Sequence, residues 1–236
     1  MGRLFNLDNP VMQGVSRLAD MMILNLLVLL LCIPVVTAGA ALSSMYYVEL
    51  KWVRKEEGYV VKPFFREFKG NFLQATAEWL MMLAVLAVFA LDFWMFRQAP
   101  DTFPKVIKYL VVVVAVTLFF LLQWVFPLQS HFINKVKTTI KNSLLFAIAH
   151  FPRTLGIGAV WLVSFALLAV SMLFIPILFP LMLLFGFTAP GYLTCALVNK
   201  PFTRFEPKEE ELTEEKSDEE VEDAYRYLNE KLGKEE

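Results

Sequence analysis

The chain has 236 residues, 57% of them apolar, with 22 phenylalanines and a formal net charge of −1. Positive mean hydropathy over that length leaves little polar surface from which to build a separate enzyme domain, so one helical membrane domain with a tail is the simplest organisation. The small net charge conceals an uneven distribution. Residues 1–205 carry 17 basic and 9 acidic groups, whereas residues 206–236 carry 5 and 14, so the two regions are read separately.

A bilayer core takes about 20 apolar residues per helix. Met21 to Val48 and Tyr109 to Asn134 contain no charged residue, Gln74 to Phe96 is broken only by Glu78 and Asp92, and the 46 residues between Arg153 and Lys200 carry no charge. These runs predict an all-α polytopic bundle of about five transmembrane helices, near 21–47, 74–96, 107–128, 155–175 and 179–198. Ala38-Gly39-Ala40 has the spacing of a signal-peptidase site, but its apolar run is longer than a signal core and continues to Val48, which predicts a retained span. Cys32 and Cys195 lie in apolar segments and read as small hydrophobes, with no disulfide or metal site. Pro34 and the group Gly186, Pro190, Gly191 predict broken helices near mid-bilayer, and Pro176 with Pro180 marks the turn of the last hairpin. Gly39-Ala40-Ala41 and Gly156-x-Gly158 also fit close helix packing.

Lys and Arg near span ends stay in the cytoplasm. Lys51, Arg54, Lys55, Lys62, Arg66, Lys69, Lys135, Lys137, Lys141, Arg153, Lys200, Arg204 and Lys208 fall on one side of a five-span drawing, against Arg3, Arg17, Arg97, Lys105 and Lys108 on the other. The bias predicts an outside N-terminus and a cytoplasmic C-terminus.

The first cytoplasmic connector contains Glu57 and Tyr59, and Pro63 opens a helix with Phe64, Phe65, Phe68 and Phe72 on one face and Arg66, Glu67 and Lys69 on the other. Two readings fit: an elbow lying in the membrane interface, or a docking helix for a cytoplasmic protein. The second connector, His131 to Arg153, repeats the plan of basic residues, a mixed helix and then a span, which suggests an internal repeat although residue identity between the units is poor. Glu78 and Asp92 are the intramembrane polar residues noted here; fourteen residues apart, they share one face of the second span. Snorkelling or pairing, Glu78 with Arg153 and Asp92 with Arg17 or Arg97, explains them without a proton relay. In the tail, Ser217-Asp218-Glu219-Glu220 is a capping box, and Val221, Tyr225, Leu228 and Leu232 form an apolar stripe ended by Gly233. So short a helix either stays partly disordered or docks on a protein.

The chain holds no nucleophile with a base, no metal-ligand spacing and no phosphate-cradling glycine loop, which argues against an enzyme and predicts no cofactor. Its basic residues are scattered along span flanks, which argues against nucleic acid and leaves membrane lipid and protein as partners. Met1-Gly2-Arg3-Leu4-Phe5-Asn6, Ser16-Arg17-Leu18-Ala19-Asp20, Gly39-Ala40-Ala41-Leu42, Tyr46-Tyr47-Val48, Glu56-Glu57-Gly58-Tyr59 and Phe64-Phe65-x-x-Phe68-x-x-Asn71-Phe72 carry a resemblance over most of residues 1–200. With these motifs the chain resembles the YesL-like family of bacterial, mostly Gram-positive, membrane proteins of unknown function. Members are often encoded beside carbohydrate ABC importers, so the resemblance implies a role in sugar or oligosaccharide uptake, with importer permease or ATPase subunits as partners. It supplies no catalytic residues, and the acidic tail lies outside its pattern. The expectation is an accessory or assembly subunit of such an importer; the alternatives are an independent small-solute transporter with a cavity near Pro34 and Pro190, and a structural or signalling membrane module.

Overall fold

The computed structural model describes residues 10–56, 58–98, 104–132, 134–173 and 175–205. Among them the regular structure is helical, with no strand: α1 (Pro10–Cys32), α2 (Ala38–Val53), α3 (Val61–Gly70), α4 (Phe72–Gln98), α5 (Lys105–His131), α6 (Val136–Ala149), α7 (Phe151–Leu173), α8 (Phe179–Phe185) and α9 (Thr188–Phe202), with short 3-10 turns before α2 and α8. The chain divides into two compact units, Met1–Asn199 and Lys200–Glu236. Of the second, the described part is the end of α9 and a turn in which the Thr203 hydroxyl donates to the Lys200 carbonyl. The tail stripe Val221, Tyr225, Leu228 and Leu232 lies outside the described residues.

Among the described residues four helices are long and apolar enough to cross a bilayer: Gly14–Cys32, Phe72–Gln98, Lys105–His131 and Phe151–Leu173. Pro176–Phe185 and Thr188–Phe202, bent by 50° at their junction, are long and apolar enough together to count as a fifth. Large apolar side chains stand exposed along these helices, among them Leu30, Val88, Phe93, Val113 and Leu162. In water such faces would aggregate; in lipid they are the solvated surface. The protein is therefore an all-α, multi-pass membrane protein.

The first predicted span is corrected. Residues 21–47 do not form one crossing: α1 stops at Cys32, Pro34 leads a 3-10 turn through Val35–Thr37, and α2 folds back along α1. The Arg17 guanidinium lies over the Trp52 ring, 5.0 Å from its centroid. Run collinearly, those residues would be about 50 Å apart at 1.5 Å per residue. Pro34 supplies no N–H, its carbonyl accepts from the Thr37 backbone N–H at 3.0 Å, and the Thr37 hydroxyl is shared between the Leu31 and Pro34 carbonyls at the reversal. α2 is the most enclosed helix, with Ala40, Ala41, Met45, Val48 and Leu50 in the core.

From α2 the chain follows one plan twice. α3 packs against α2 and continues through Asn71 into the long α4; α6 packs against α5 and continues through His150 into the long α7. The repeated arrangement read from the two connectors is thus present in the helix order. Gly39 lets α2 meet α4 closely, since a Cβ there would lie 2.5 Å from both the Ala75 carbonyl oxygen and Trp79 Cβ. The Trp79 indole N–H donates to the Val35 carbonyl at 2.7 Å, fixing the crossing.

The bend between α8 and α9 falls at Gly186 and Phe187, ahead of the expected Pro190. Pro190 sits in the first turn of α9, where its missing N–H costs nothing. Asn25 of α1, fully buried, bridges the gap: its Oδ1 accepts from the backbone N–H of Phe187 at 2.9 Å and of Thr188 at 3.1 Å, and its Nδ2 donates to the Leu183 carbonyl at 2.7 Å. A broken helix inside a membrane must find partners for its freed backbone groups, and one carboxamide meets three of them.

Candidate functional site

The aromatic face of α3 forms part of the fold. Phe64 is fully buried, its ring 5.5 Å from Phe65 edge-on and 6.3 Å from Phe68 in a stack, and Phe68 lies 5.4 Å from Phe72. Of the rings read in sequence as facing lipid or a partner, Phe64 is wholly enclosed where α3 packs on α2, while Phe65, Phe68 and Phe72 stay partly exposed. What α3 and its approach present outward is Tyr59, 87% exposed, together with Val61, Lys62, Arg66 and Lys69. Glu57 lies outside the described residues. Lys55 adopts φ 60°, a left-handed turn that ends α2 and swings the connector out, and Lys51 pairs with Glu56 at 3.3 Å. Arg66 donates from Nη2 to the Tyr47 hydroxyl at 2.8 Å. Glu67 is half-buried and accepts from the Asn71 side chain. Burial raises the Glu67 carboxyl above its ordinary value, with the Asn71 hydrogen bond and the Arg66 charge pulling the other way.

Inside the bundle the polar residues form a seam. The Gln74 amide donates to the Gln129 side chain and the Asn134 carbonyl, both at 2.6 Å, and lies 3.3 Å from a Glu78 carboxyl oxygen. The Thr139 hydroxyl approaches Gln129 at 3.4 Å. Glu78 is 1% exposed and faces this amide cluster, not Arg153, so the proposed pairing with Arg153 is corrected. Helix α6, folding back on α5, delivers Thr139 to the place a snorkelling acid would otherwise leave. Asp92 lies partly exposed in the C-terminal half of α4, makes no ion pair among the described residues, and does not join Glu78; Arg17 lies on Trp52 instead.

Glu49 was missed as an interior group, because the sequence places it at the head of the charged connector. It is fully buried in α2, with one carboxyl oxygen unpartnered and the other 3.9 Å from the Cys195 sulfur of α9. Gly191 provides the space, since a Cβ there would lie 2.9 Å from Glu49 Oε1 and 2.8 Å from Met45 Cε. The helical spacing of Ala41, Met45, Glu49 and Trp52 would have put Glu49 on the enclosed face. Below it Arg54 donates to the Asn199 side chain at 3.1 Å and to His131 Nε2 at 3.3 Å, tying α2, α5 and α9 together. His131 is thereby a structural partner, and His150 packs in the ring cluster of Trp124 and Phe146. Asn25 was also missed; a lone amide in a charge-free run was its signal.

A groove of about 540 Å³ runs between α7 and the α8–α9 bend and includes Pro190 in its wall, but not Pro34. Its lining is apolar apart from Ser164. A polar recess of about 420 Å³ opens beside Arg66, Glu67, Asn71, Gln74, Gln129 and His131. No group of three His, Cys, Asp or Glu side chains is placed to hold a metal among the described residues. Among the described residues the arrangement offers hydrogen bonding and charge.

Residues 21–93 match the family model described as a protein of unknown function, DUF624. This match covers the α1–α2 reversal, α3 and most of α4. The chain is also 26% identical, over 158 residues, to the uncharacterized protein YteU of Bacillus subtilis (strain 168), covering 66% of this chain and 71% of that one. No solved structure matches the chain. Taken with the motifs, these matches bear out the resemblance to the YesL-like membrane proteins of unknown function.

Proposed function

We propose that the protein is a non-enzymatic accessory or assembly subunit of a carbohydrate ABC importer in a bacterial cytoplasmic membrane, engaging permease or ATPase subunits through its first connector. The observation that carries this reading is Tyr59. Phe64 nearby is enclosed in the fold, while Tyr59 stands 87% exposed beside Lys51, Lys55 and Glu56. An exposed tyrosine in a charged surround is the anchor type of protein interfaces, large in contact area and cheap in side-chain entropy. The importer as partner rests on the family resemblance.

We also propose a topology other than the expected outside N-terminus, supported by the folded-back α1–α2 pair. The pair puts the start of α1 on the same face as the connectors, so Arg17 joins the cytoplasmic basic residues and Arg97, Lys105 and Lys108 remain opposite. With α2 counted as a short returning pass beside the five longer ones, both ends of the membrane unit face the cytoplasm in this reading. The independent-transporter reading is favoured by the buried Glu49 and the groove beside Pro190, although that groove offers a sugar little hydrogen bonding. Purification in mild detergent with identification of the retained proteins separates the two. Importer subunits at stoichiometric levels support the accessory reading, and solute flux by the protein reconstituted alone supports the other.

A further inference from the structure

A cavity of about 1060 Å³, open to one side, lies between the start of α1 and α3. That exceeds a usual small-molecule pocket of about 300–1,000 Å³. One wall is Lys62, Arg66 and Lys69 of α3, at i, i+4 and i+7 and therefore on one helix face, with Phe65 beside them. The other is Ser16, Asp20 and Ile23 of α1. All three cations are exposed. Lys62 and Lys69 have no acidic partner among the described residues; Arg66 holds the Tyr47 hydroxyl and lies near Glu67, and Asp20 is the one acid in the wall. The groove is therefore net positive.

Its depth is set by α1. Ser16, Asp20 and Ile23 belong to the first turns of a helix that crosses the membrane from Gly14 to Cys32, the level at which a crossing helix leaves the headgroups. From Ile23 an exposed apolar stripe continues through Leu26 and Leu30, at i+3 and i+7. The geometry points to a bound anionic phospholipid, its phosphate among Lys62, Arg66 and Lys69 and an acyl chain along Ile23, Leu26 and Leu30. Cationic residues that only enforce topology need no shared face and no cavity; here they have both, with an apolar track leading into the hydrocarbon. Tyr59 also lines this cavity, so the lipid is tested on the chain without an importer and on the lysines alone.

The test uses the full chain purified in nanodiscs of phosphatidylcholine with a minor fraction of phosphatidylglycerol, and lipid retention is read by native mass spectrometry after release. Phosphatidylglycerol is expected to be retained in preference to phosphatidylcholine. Each cation near a membrane surface is worth about a fivefold change in affinity for anionic lipid, so Lys62→Gln with Lys69→Gln is expected to weaken retention by about thirtyfold. Lys135→Gln with Lys137→Gln, which removes two exposed cations from the other connector, is expected to change it by about twofold or less. All four lysines are exposed, so the variants should melt with the wild type in pure phosphatidylcholine, and that is checked in the same samples. Phosphatidylglycerol should also raise the wild-type melting temperature where soluble glycerol phosphate does not. Equal retention of the two lipids, equal losses in the two double variants, or displacement by glycerol phosphate would overturn the proposal.

Discussion

Replacing Asn25 by Leu keeps the volume of a buried side chain and removes three hydrogen bonds at the α8–α9 bend. The Phe187 and Thr188 N–H groups and the Leu183 carbonyl are each left without their partner in the interior. Values from soluble proteins, about 1–3 kcal/mol for each buried group left unpaired, would total about 3–9 kcal/mol. Interhelical hydrogen bonds in membrane proteins measure lower, about 0.6 kcal/mol on average and about 1.7 at most, which gives about 2–5 kcal/mol for three. The lower range applies, because the bend relaxes toward other carbonyls when the amide is gone. Unfolding in mixed micelles by SDS titration, followed by tryptophan fluorescence, reads the difference directly. Asn25→Asp keeps the acceptor for both N–H groups but loses the Nδ2 donor and adds a buried charge, so it should rescue nothing at neutral pH. A loss below about 0.5 kcal/mol for Asn25→Leu would show that the bend is held by chain geometry and packing and that the amide is incidental.

Gly39→Ala is expected to destabilise by about 1–3 kcal/mol in the same assay, because its Cβ meets a backbone oxygen and a first side-chain carbon that cannot swing away; an unchanged midpoint would mean α2 and α4 separate freely. Glu67 gives a pH dependence of definite sign. Its carboxyl binds a proton more tightly folded than unfolded, so stability should fall as pH rises from the ordinary value of 4.5 through the raised one, and Glu67→Gln should flatten that slope. For topology, single cysteines at positions 6 and 57, introduced after Cys32 and Cys195 are replaced, should both resist a membrane-impermeant reagent in intact cells while position 102 reacts. Labelling at position 6 with protection at 57 would restore a single first crossing.

Helix existence was legible because charge-free runs of bilayer length have few other uses, and four of the five spans lie where those runs lie. The reversal at Pro34 was not, since a proline in an apolar run marks a break but leaves the angle to packing: here Gly39 against α4 and Arg17 over Trp52 set it. The α3 amphipathicity was read correctly, but periodicity cannot say whether an aromatic face meets lipid, a partner or the protein's own α2. Glu49 escaped for a related reason. A charge next to Lys51 in sequence looks like connector, and only the enclosure of α2 by its neighbours puts it inside. Glu78 was identified as interior, and its partner Gln74 lies one turn away on α4; the rest of the cluster, Gln129 and Thr139, comes from α5 and α6, fifty and more residues away, and long-range polar contacts leave no local pattern.

The central claim is tested most directly by purifying the tagged protein from its own membranes in mild detergent, beside Tyr59→Ala. Tyr59 is so exposed that truncating it should leave the melting temperature unchanged. If it anchors an importer, an interface tyrosine of this kind is worth about 2 kcal/mol or more, about thirtyfold in affinity. The account predicts that the wild type retains the permease and ATPase subunits of a carbohydrate importer and that an equally stable Tyr59→Ala protein loses them. Purification of the wild type alone, or full retention of the importer by Tyr59→Ala, would contradict it.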